Sequence, residues 1–298
     1  MIGAESSGAT GRHDVPSAEQ LPPLVARTPL AIFDEAITLL RIRPWLFLGI
    51  AALLFLPARG LALLAPGADL RGARLDRLLD VLVDNIFNPD EIGATLVRLS
   101  LESFALFLTA TIYGEIVAGW FAGRNPELKT LAINTAKRLP GVAVAWAITK
   151  VAQVLSAPLT LGVLALILGA FFALVAPLMG AEGAGPIEAI RRSTKFVTSR
   201  LGHVLWTFIV TGLGAIVLRL AIRSSPSIIL GQFGLSEAIP EWIVSGLFEV
   251  ASGVIALAFV ASASIVLYLD VRVRREGIDL TMAVDELFTS PRIEASGG

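Results

Sequence analysis

The chain has 298 residues, of which 55% are hydrophobic and 16% charged, and its mean hydropathy is +0.75. Soluble domains carry about 25% charged residues, so its 24 basic and 25 acidic side chains leave too little polar surface for so apolar a chain in water. The net charge of −1 and the absence of cysteine argue against a nucleic-acid-binding protein, a disulfide-linked fold and a zinc–thiolate site. The composition predicts an integral membrane protein.

The first 28 residues are rich in Gly, Ser, Ala and Pro and show no apolar periodicity. They also lack the basic segment and short apolar core of a cleavable signal. We expect a disordered cytoplasmic tail over residues 1–28, a helical membrane domain over residues 29–288 and a second disordered tail over residues 289–298.

Six apolar stretches follow, each close to the roughly 20 helical residues that cross a hydrocarbon core. Only a Ser156-Ala157-Pro158 corner separates the third stretch from the fourth. Residues 142–179 could therefore also form one kinked helix, but that helix would be nearly twice the length of a single crossing. The sequence thus predicts an all-α protein with about six transmembrane helices, at Trp45–Ala65, Ala94–Ala122, Gly141–Ala157, Leu159–Gly180, His203–Ile222 and Trp242–Leu269.

Lys and Arg cluster in every second connection: before the first stretch, between the second and third, between the fourth and fifth, and after the sixth. The positive-inside rule places these segments, and therefore both termini, in the cytoplasm. The remaining connections are external, and we expect an amphipathic helix on the outer face over residues 66–93 and a similar segment over residues 223–241. The predicted location is a cytoplasmic membrane.

The cytoplasmic connections share a pattern of Pro, amphipathic helix, basic residues, and Pro or Gly, at residues 29–44, 126–140 and 186–202. Such helices favour the plane of the cytoplasmic leaflet, where anionic lipid attracts bases. We therefore predict three transmembrane hairpins, each preceded by an interfacial amphipathic helix; helices that merely cap the bundle are the alternative. The expected contacts with lipid headgroups or partners are Arg41, Arg43, Lys137, Arg138, Arg191, Arg192, Lys195, Arg272, Arg274 and Arg275.

The chain offers little for catalysis. Of its two histidines, His13 lies in the predicted tail and His203 begins the fifth stretch, where a headgroup contact is the expected role. No phosphate-binding loop or hydrolase motif occurs, since the glycines of residues 180–185 follow a membrane stretch rather than a strand. We expect no catalytic residue, no metal and no cofactor, and hence no enzyme.

Ionisable residues inside the stretches are informative, because each costs roughly 2.5–3.5 kcal/mol at a helix centre. Arg98 and Glu102 are four residues apart, which predicts a local pair without function. Glu115 and Lys150 are expected at similar depths, about 12 and 15 Å from the cytoplasmic side, on neighbouring helices, which predicts a buried pair. The remaining buried charges are expected in the outer half of the membrane: Arg59, Arg219 and Glu249. For the buried charges, both structural ion pairs and a transport site stay open.

Three segments carry a resemblance: DEAITLLRIRPWLFLGIAALL, GPIEAIRRSTKFVTSR and YLDVRVRREGIDL. Together they resemble the membrane domain attached to some glycerophosphoryl diester phosphodiesterases, which more often stands alone in bacterial membrane proteins of unknown function. The resemblance spans residues 29–288. It implies a multi-span membrane domain of bacterial type, and hence a location in a bacterial cytoplasmic membrane. It does not imply phosphodiesterase activity, because the catalytic barrel and its metal ligands have no counterpart in this sequence.

Two functions are compatible with these features. The first is a non-enzymatic membrane protein that organises lipid or a membrane-protein complex. The second is a transporter or channel for a small or lipidic substrate, with the buried charges as its pathway. The expected partners are membrane lipids and other membrane proteins, not nucleic acid, and self-association stays open.

Overall fold

The computed structural model of the chain describes residues 16, 26–62, 64, 89–157, 160, 162–233 and 241–276. Within these ranges the structure contains nine α-helices and no strand. Six helical stretches are long and apolar enough to cross a membrane, which agrees with the number predicted. The predicted tails and the predicted outer helix over residues 66–93 lie almost wholly outside the described residues.

The helices follow one another with short connections. Three of the six apolar stretches are α2, α4 and the pair α5–α6, and the other three lie within the long helices α3, α8 and α9. The nine helices are α1 (Pro29–Ile42), α2 (Pro44–Ala62), α3 (Pro89–Phe121), α4 (Leu128–Ser156), α5 (Val163–Phe172), α6 (Val175–Glu182), α7 (Pro186–Ser199), α8 (Leu201–Phe233) and α9 (Glu241–Glu276).

Local sequence signals explain several of these boundaries. Thr28 Oγ1 accepts a hydrogen bond from the Ala31 backbone at 3.2 Å, and Pro29 occupies the first turn of α1, where its missing N–H costs nothing. The fourth stretch lies between two glycines in the left-handed region, Gly162 at φ +86° and Gly183 at φ +67°. Only glycine adopts that conformation at little cost, so both helix ends are encoded by the sequence.

Two helices continue through segments where the sequence predicted a separate element. The second expected interfacial helix, residues 126–140, is not separate, because α4 runs without interruption from Leu128 through Pro140. A proline removes one backbone hydrogen bond, and a membrane helix tolerates that loss where its neighbours pack against it. Likewise, α8 continues past Arg223 to Phe233, so the first part of the segment expected over residues 223–241 belongs to this helix.

Helices α3 and α9 form the centre of the bundle. Of the residues in their apolar stretches, 67% and 72% are buried, against 22% in α4 and 17% in α8. Tyr113 of α3 packs edge-on against Phe47 at 4.6 Å and donates its hydroxyl to the Phe47 carbonyl at 2.5 Å. Helices α4 and α8 therefore lie at the periphery.

Helix α1 packs on protein. Its residues Ile32, Ala36 and Leu39 are fully buried. The Phe33 ring lies 4.9 Å from Phe259 of α9 and occupies the space beside Gly214 of α8. The apolar face that was expected to contact the leaflet thus covers α8 and α9, as the capping alternative requires.

One end of the bundle, here named the basic end, collects the predicted cytoplasmic connections. Arg43 donates to Asn125 at 3.0 Å, between α3 and α4. His203 at the start of α8 lies 2.9 Å from Asp270 near the end of α9. These contacts bring the connection between α1 and α2, the α3–α4 connection and the end of α9 to the same side.

Candidate ligand site within the membrane stretches

A cavity of about 210 Å³ lies between helices α3, α4, α5, α6, α8 and α9. Most of its wall is apolar, with Leu106, Phe107, Phe172 and Phe208 among the lining side chains. The Trp146 indole, also in the wall, donates to Ser103 Oγ at 2.9 Å and so connects α4 to α3. The cavity therefore lies among the helices that form both the centre and the periphery of the bundle.

Lys150 and Gln153 contribute polar groups to this cavity from successive turns of α4. Among the residues that the structure describes, neither side chain has a hydrogen-bond or ion-pair partner. Lys150 lies 12 residues beyond Arg138, or about 18 Å along α4 from the basic end. This distance is more than half of the roughly 30 Å thickness of a hydrocarbon core, and Lys150 has no counter-charge among the described groups.

The fourth membrane stretch is broken where it lines the cavity. Helix α5 ends at Phe172, the Ala173 N–H bonds to the Ala170 carbonyl at 3.3 Å, and α6 begins at Val175. Pro177 has no N–H to donate to the Ala173 carbonyl, which favours the interruption at this point. Phe172, Ala173 and Ala176 all line the cavity, so the break and the unpartnered lysine belong to one site.

A side chain from outside the stretch stabilises the break. Ser193 of α7 is fully buried and donates its hydroxyl to the Phe171 carbonyl at 2.5 Å. The interruption deprives that carbonyl of a helical donor, and an unsatisfied buried carbonyl is costly, so Ser193 compensates for the broken helix. Sequence analysis missed this role because nothing local to Ser193 indicates which carbonyl it reaches.

The predicted pair of Glu115 and Lys150 does not form. Glu115 accepts a hydrogen bond from Asn134 Nδ2 at 2.7 Å and lies 3.5 Å from Arg138 Nη1. Asn134 is 16 residues from Lys150, about 24 Å along α4, which places Glu115 beyond the reach of the lysine. Depth counting failed because α4 is one continuous helix, so its first turns, not its middle, face Glu115.

Arg138 also closes the end of α6. The same Nη1 donates to the carbonyls of Met179 and Gly180, each at 3.3 Å. Carbonyls at a helix C-terminus lack intrahelical donors, and a cation there also complements the helix dipole. Arg138 was expected to contact lipid or a partner, but it fixes α4 to α3 and α6 instead.

The outer-half charges form one network at the end of the bundle opposite the basic end. Glu102 interacts electrostatically with Arg98, as predicted, and its Oε1 also lies 3.3 Å from Arg59 Nη1, which makes the contact one between helices. Arg219 reaches Glu102 at 3.4 Å and Glu249 at 3.1 Å. Arg223, which the sequence analysis placed in a loop, lies 3.1 Å from Glu249 Oε2. The network connects α2, α3, α8 and α9.

The ten bases predicted to contact headgroups or partners divide into two sets. Some bind within the protein: Arg192 pairs with Glu182 and Glu188, Arg272 donates to the Tyr268 hydroxyl at 3.3 Å, and Arg274 donates to Asp270 at 3.0 Å. Arg43 and Arg138 bind internally as described above. Five are exposed and stay candidates for external contacts: Arg41, Lys137, Arg191, Lys195 and Arg275.

Asp270 binds the start of the described N-terminal segment to α9. Its fully buried carboxylate accepts from the Arg27 backbone at 2.6 Å and lies 2.9 Å from His203 Nε2. Arg27 also forms an ion pair with Glu35 of α1. His203 therefore has an internal carboxylate partner in place of the expected headgroup contact.

No protein-family model, no curated protein and no solved structure matches the chain. The resemblance to the membrane domain of glycerophosphoryl diester phosphodiesterases accordingly stays a prediction.

Proposed function

We propose that this protein is a transporter whose substrate carries negative charge and binds Lys150 in the cavity at the broken fourth stretch. The observation that carries the proposal is the Lys150 ammonium, which lies inside the membrane stretches and has no partner among the residues that the structure describes. A lone lysine there costs roughly 2.5–3.5 kcal/mol, a cost that a bound anion would offset. Structural pairing, the alternative explanation for buried charges, accounts for Glu102, Glu115 and Glu249, but offers Lys150 no described partner.

The break between α5 and α6 supports transport over static binding. Discontinuous helices near the midplane recur at transporter substrate sites, because irregular backbone inside a membrane is tolerated where it lines a cavity. The break lies eight residues from Glu182 at the basic end, or about 12 Å, which is near half the hydrocarbon thickness. A jointed stretch beside the cavity is an element whose two halves can move separately.

The wider setting belongs to the same proposal. A bacterial cytoplasmic-membrane protein with both termini in the cytoplasm would place the basic end inside, as the positive-inside rule requires. Packing of α2 on α3, α4 on α5 and α8 on α9 supports three hairpins. The resemblance to the phosphodiesterase membrane domain and the absence of catalytic activity are part of this proposal.

A second function has its own support. The exposed bases Arg41, Lys137, Arg191, Lys195 and Arg275 lie on α1, α4, α7 and α9 at the basic end. Anionic lipid attracts such residues by about 1 kcal/mol each. A protein that organises lipid or a membrane-protein complex would use this surface and would not need the Lys150 cavity. Lys150→Met should therefore abolish transport but leave an organising function intact.

The experiment is uptake of radiolabelled benzenesulfonate into proteoliposomes. This probe is anionic at any working pH, so it does not cross lipid as a neutral acid, and its ring suits an apolar cavity. We expect saturable uptake by the wild type, loss of at least tenfold in Lys150→Met, and retention in Lys137→Met, which removes an exposed lysine of the same helix. Equal uptake by both variants, or none by the wild type, would contradict the transport proposal.

A further inference from the structure

We infer that the substrate is a single-chain carboxylic acid whose carboxylate binds Lys150 and whose tail leaves the cavity between α4 and α8 into the bilayer. This inference rests on the proposed function and specifies its substrate. The features that carry it are the charge of the site, its hydrogen-bonding groups, its volume and the packing around it.

The charge of the site selects a monoanion. Lys150 is the single ionisable residue among the described residues that line the cavity. In a low-dielectric site an uncompensated charge is costly, so one ammonium matches one negative charge, and a dianion would leave the second unpaired. A phosphate monoester or a dicarboxylate fits this site less well than a monocarboxylate.

The polar groups beside Lys150 suit a carboxylate. Ser103 Oγ accepts the Trp146 indole N–H, so the hydroxyl proton of Ser103 stays available for donation. The Gln153 amide has two N–H donors and no partner among the described residues. An ionised carboxylate is an acceptor with about four lone-pair sites, which an ammonium, an amide and a hydroxyl can occupy together.

The size of the cavity limits what it encloses. An engineered cavity of about 150 Å³ holds benzene, so about 210 Å³ holds roughly eight carbon-sized atoms. The walls beyond the polar groups are aromatic and aliphatic, with Phe107, Phe172 and Phe208 among them. The cavity therefore accommodates a headgroup and the first part of an apolar chain, and a longer chain must leave it.

The peripheral packing supplies the exit. Helix α8 packs on α9, α1, α5 and α7, and the contacts with α4 are too few to form a helix pair. The Phe208 ring of α8 lies against Gly169 of α5, beside Gln153 of α4: a Cβ added at Gly169 would come within 2.9 Å of the ring and 3.6 Å of Gln153 Nε2. On this side the Phe208 ring, rather than a packed pair of α4 and α8, lines the cavity beside the polar groups of α4, so we place the exit here.

The test is competition against radiolabelled benzenesulfonate bound to the full chain in nanodiscs. We expect dodecanoate to compete at least tenfold better than acetate, and dodecanol and dodecanedioate at least tenfold worse than dodecanoate. Gln153→Leu should weaken the affinity for dodecanoate several-fold. Because this variant keeps the Lys150 ammonium, it tests the site even if Lys150→Met proves unstable. A dodecanoate bearing a diazirine on its last carbon should label outward-facing residues of α4 or α8, such as Val151 and Leu213.

The outcomes separate this inference from the function it rests on. Benzenesulfonate bound in a Lys150-dependent manner without competition by dodecanoate would overturn the inference and leave the proposed function intact. Competition by hexanoate or octanoate but not by dodecanoate would show an enclosed cavity, and labelling on α2 would show another exit. Either result would also overturn the inference. Failure of benzenesulfonate itself to bind or to be taken up counts against the proposed function.

Discussion

Arg219 Nη2 of α8 lies 3.1 Å from Glu249 Oε1 of α9, in the stretches that cross the membrane. The same carboxylate is 3.8 Å from Arg59 Nη2, so it is shared by cations from two other helices. Glu249 is 11% exposed at its side chain, which leaves it little contact with solvent. This pairing joins α8 to α9 at the end of the bundle opposite the basic end.

Removal of the Glu249 charge should therefore destabilise the fold. Glu249→Gln leaves Arg59 and Arg219 with Glu102 and leaves Arg223 without a described carboxylate partner, and breaking a buried pair costs roughly 3–5 kcal/mol. We expect a lower free energy of unfolding, measured by SDS titration, and partial recovery in the double variant with Arg219→Gln. Arg200→Gln, at an exposed position, is the control. Additive losses in the double variant would mean that the two residues do not interact.

Arg138 should be far more important for stability than its neighbour Lys137. Arg138→Met removes the cationic partner of Glu115, which keeps only Asn134, and the donor to two carbonyls of α6, and each buried group left unsatisfied costs about 1–3 kcal/mol. Lys137 is exposed, so Lys137→Met should leave the melting temperature in detergent unchanged. Equal melting temperatures for the two variants would contradict the internal role of Arg138.

Gly180 sets the distance between α3 and α6. A Cβ at this position would overlap the Thr111 carbonyl, which belongs to backbone and cannot rotate away. Gly180→Ala should therefore separate the helices, with a loss of about 1–3 kcal/mol or more. Gly185→Ala is the matched control, because no atom lies within 4 Å of its added Cβ. A Gly180→Ala protein as stable as this control would show that the helices are farther apart.

The helices were predictable to different degrees. Apolar length identified six crossings because burial of about 20 residues in lipid is a local property of the chain. The Ser156 corner was likewise visible, since α4 ends at that residue. The continuation of α4 through Pro140 was not, because it depends on whether neighbouring helices support the residues on both sides of the proline.

The candidate site was only half predictable. Lys150 stood out in the sequence as a charge inside an apolar stretch, which is a local signal. That it has no partner among the described residues was not predictable, because the register of α3 against α4 places Glu115 beside Asn134 and Arg138. The same limit applied to Glu102, whose nearest base along the chain is Arg98 but whose partners come from α2 and α8.

Membrane topology can be tested directly, because the chain contains no cysteine. Single cysteines at Asp84 and Ser236 should react with an impermeant maleimide added to spheroplasts. Cysteines at Thr130, Lys195 and Asp285 should react only after permeabilisation. Lys195 is used because it is exposed, whereas the nearby Ser193 is buried. External labelling at Thr130 would reverse the orientation proposed for the basic end.

The central claim is that Lys150 binds an anion inside the membrane stretches. Its most direct test is equilibrium binding of radiolabelled benzenesulfonate to the purified protein by scintillation proximity, with the wild type, Lys150→Met and Lys137→Met compared at equal folded fraction. The account predicts saturable binding at one site per chain, retained in Lys137→Met and weakened at least tenfold in Lys150→Met. Binding of equal affinity in all three proteins, or no saturable binding to the wild type, would contradict it.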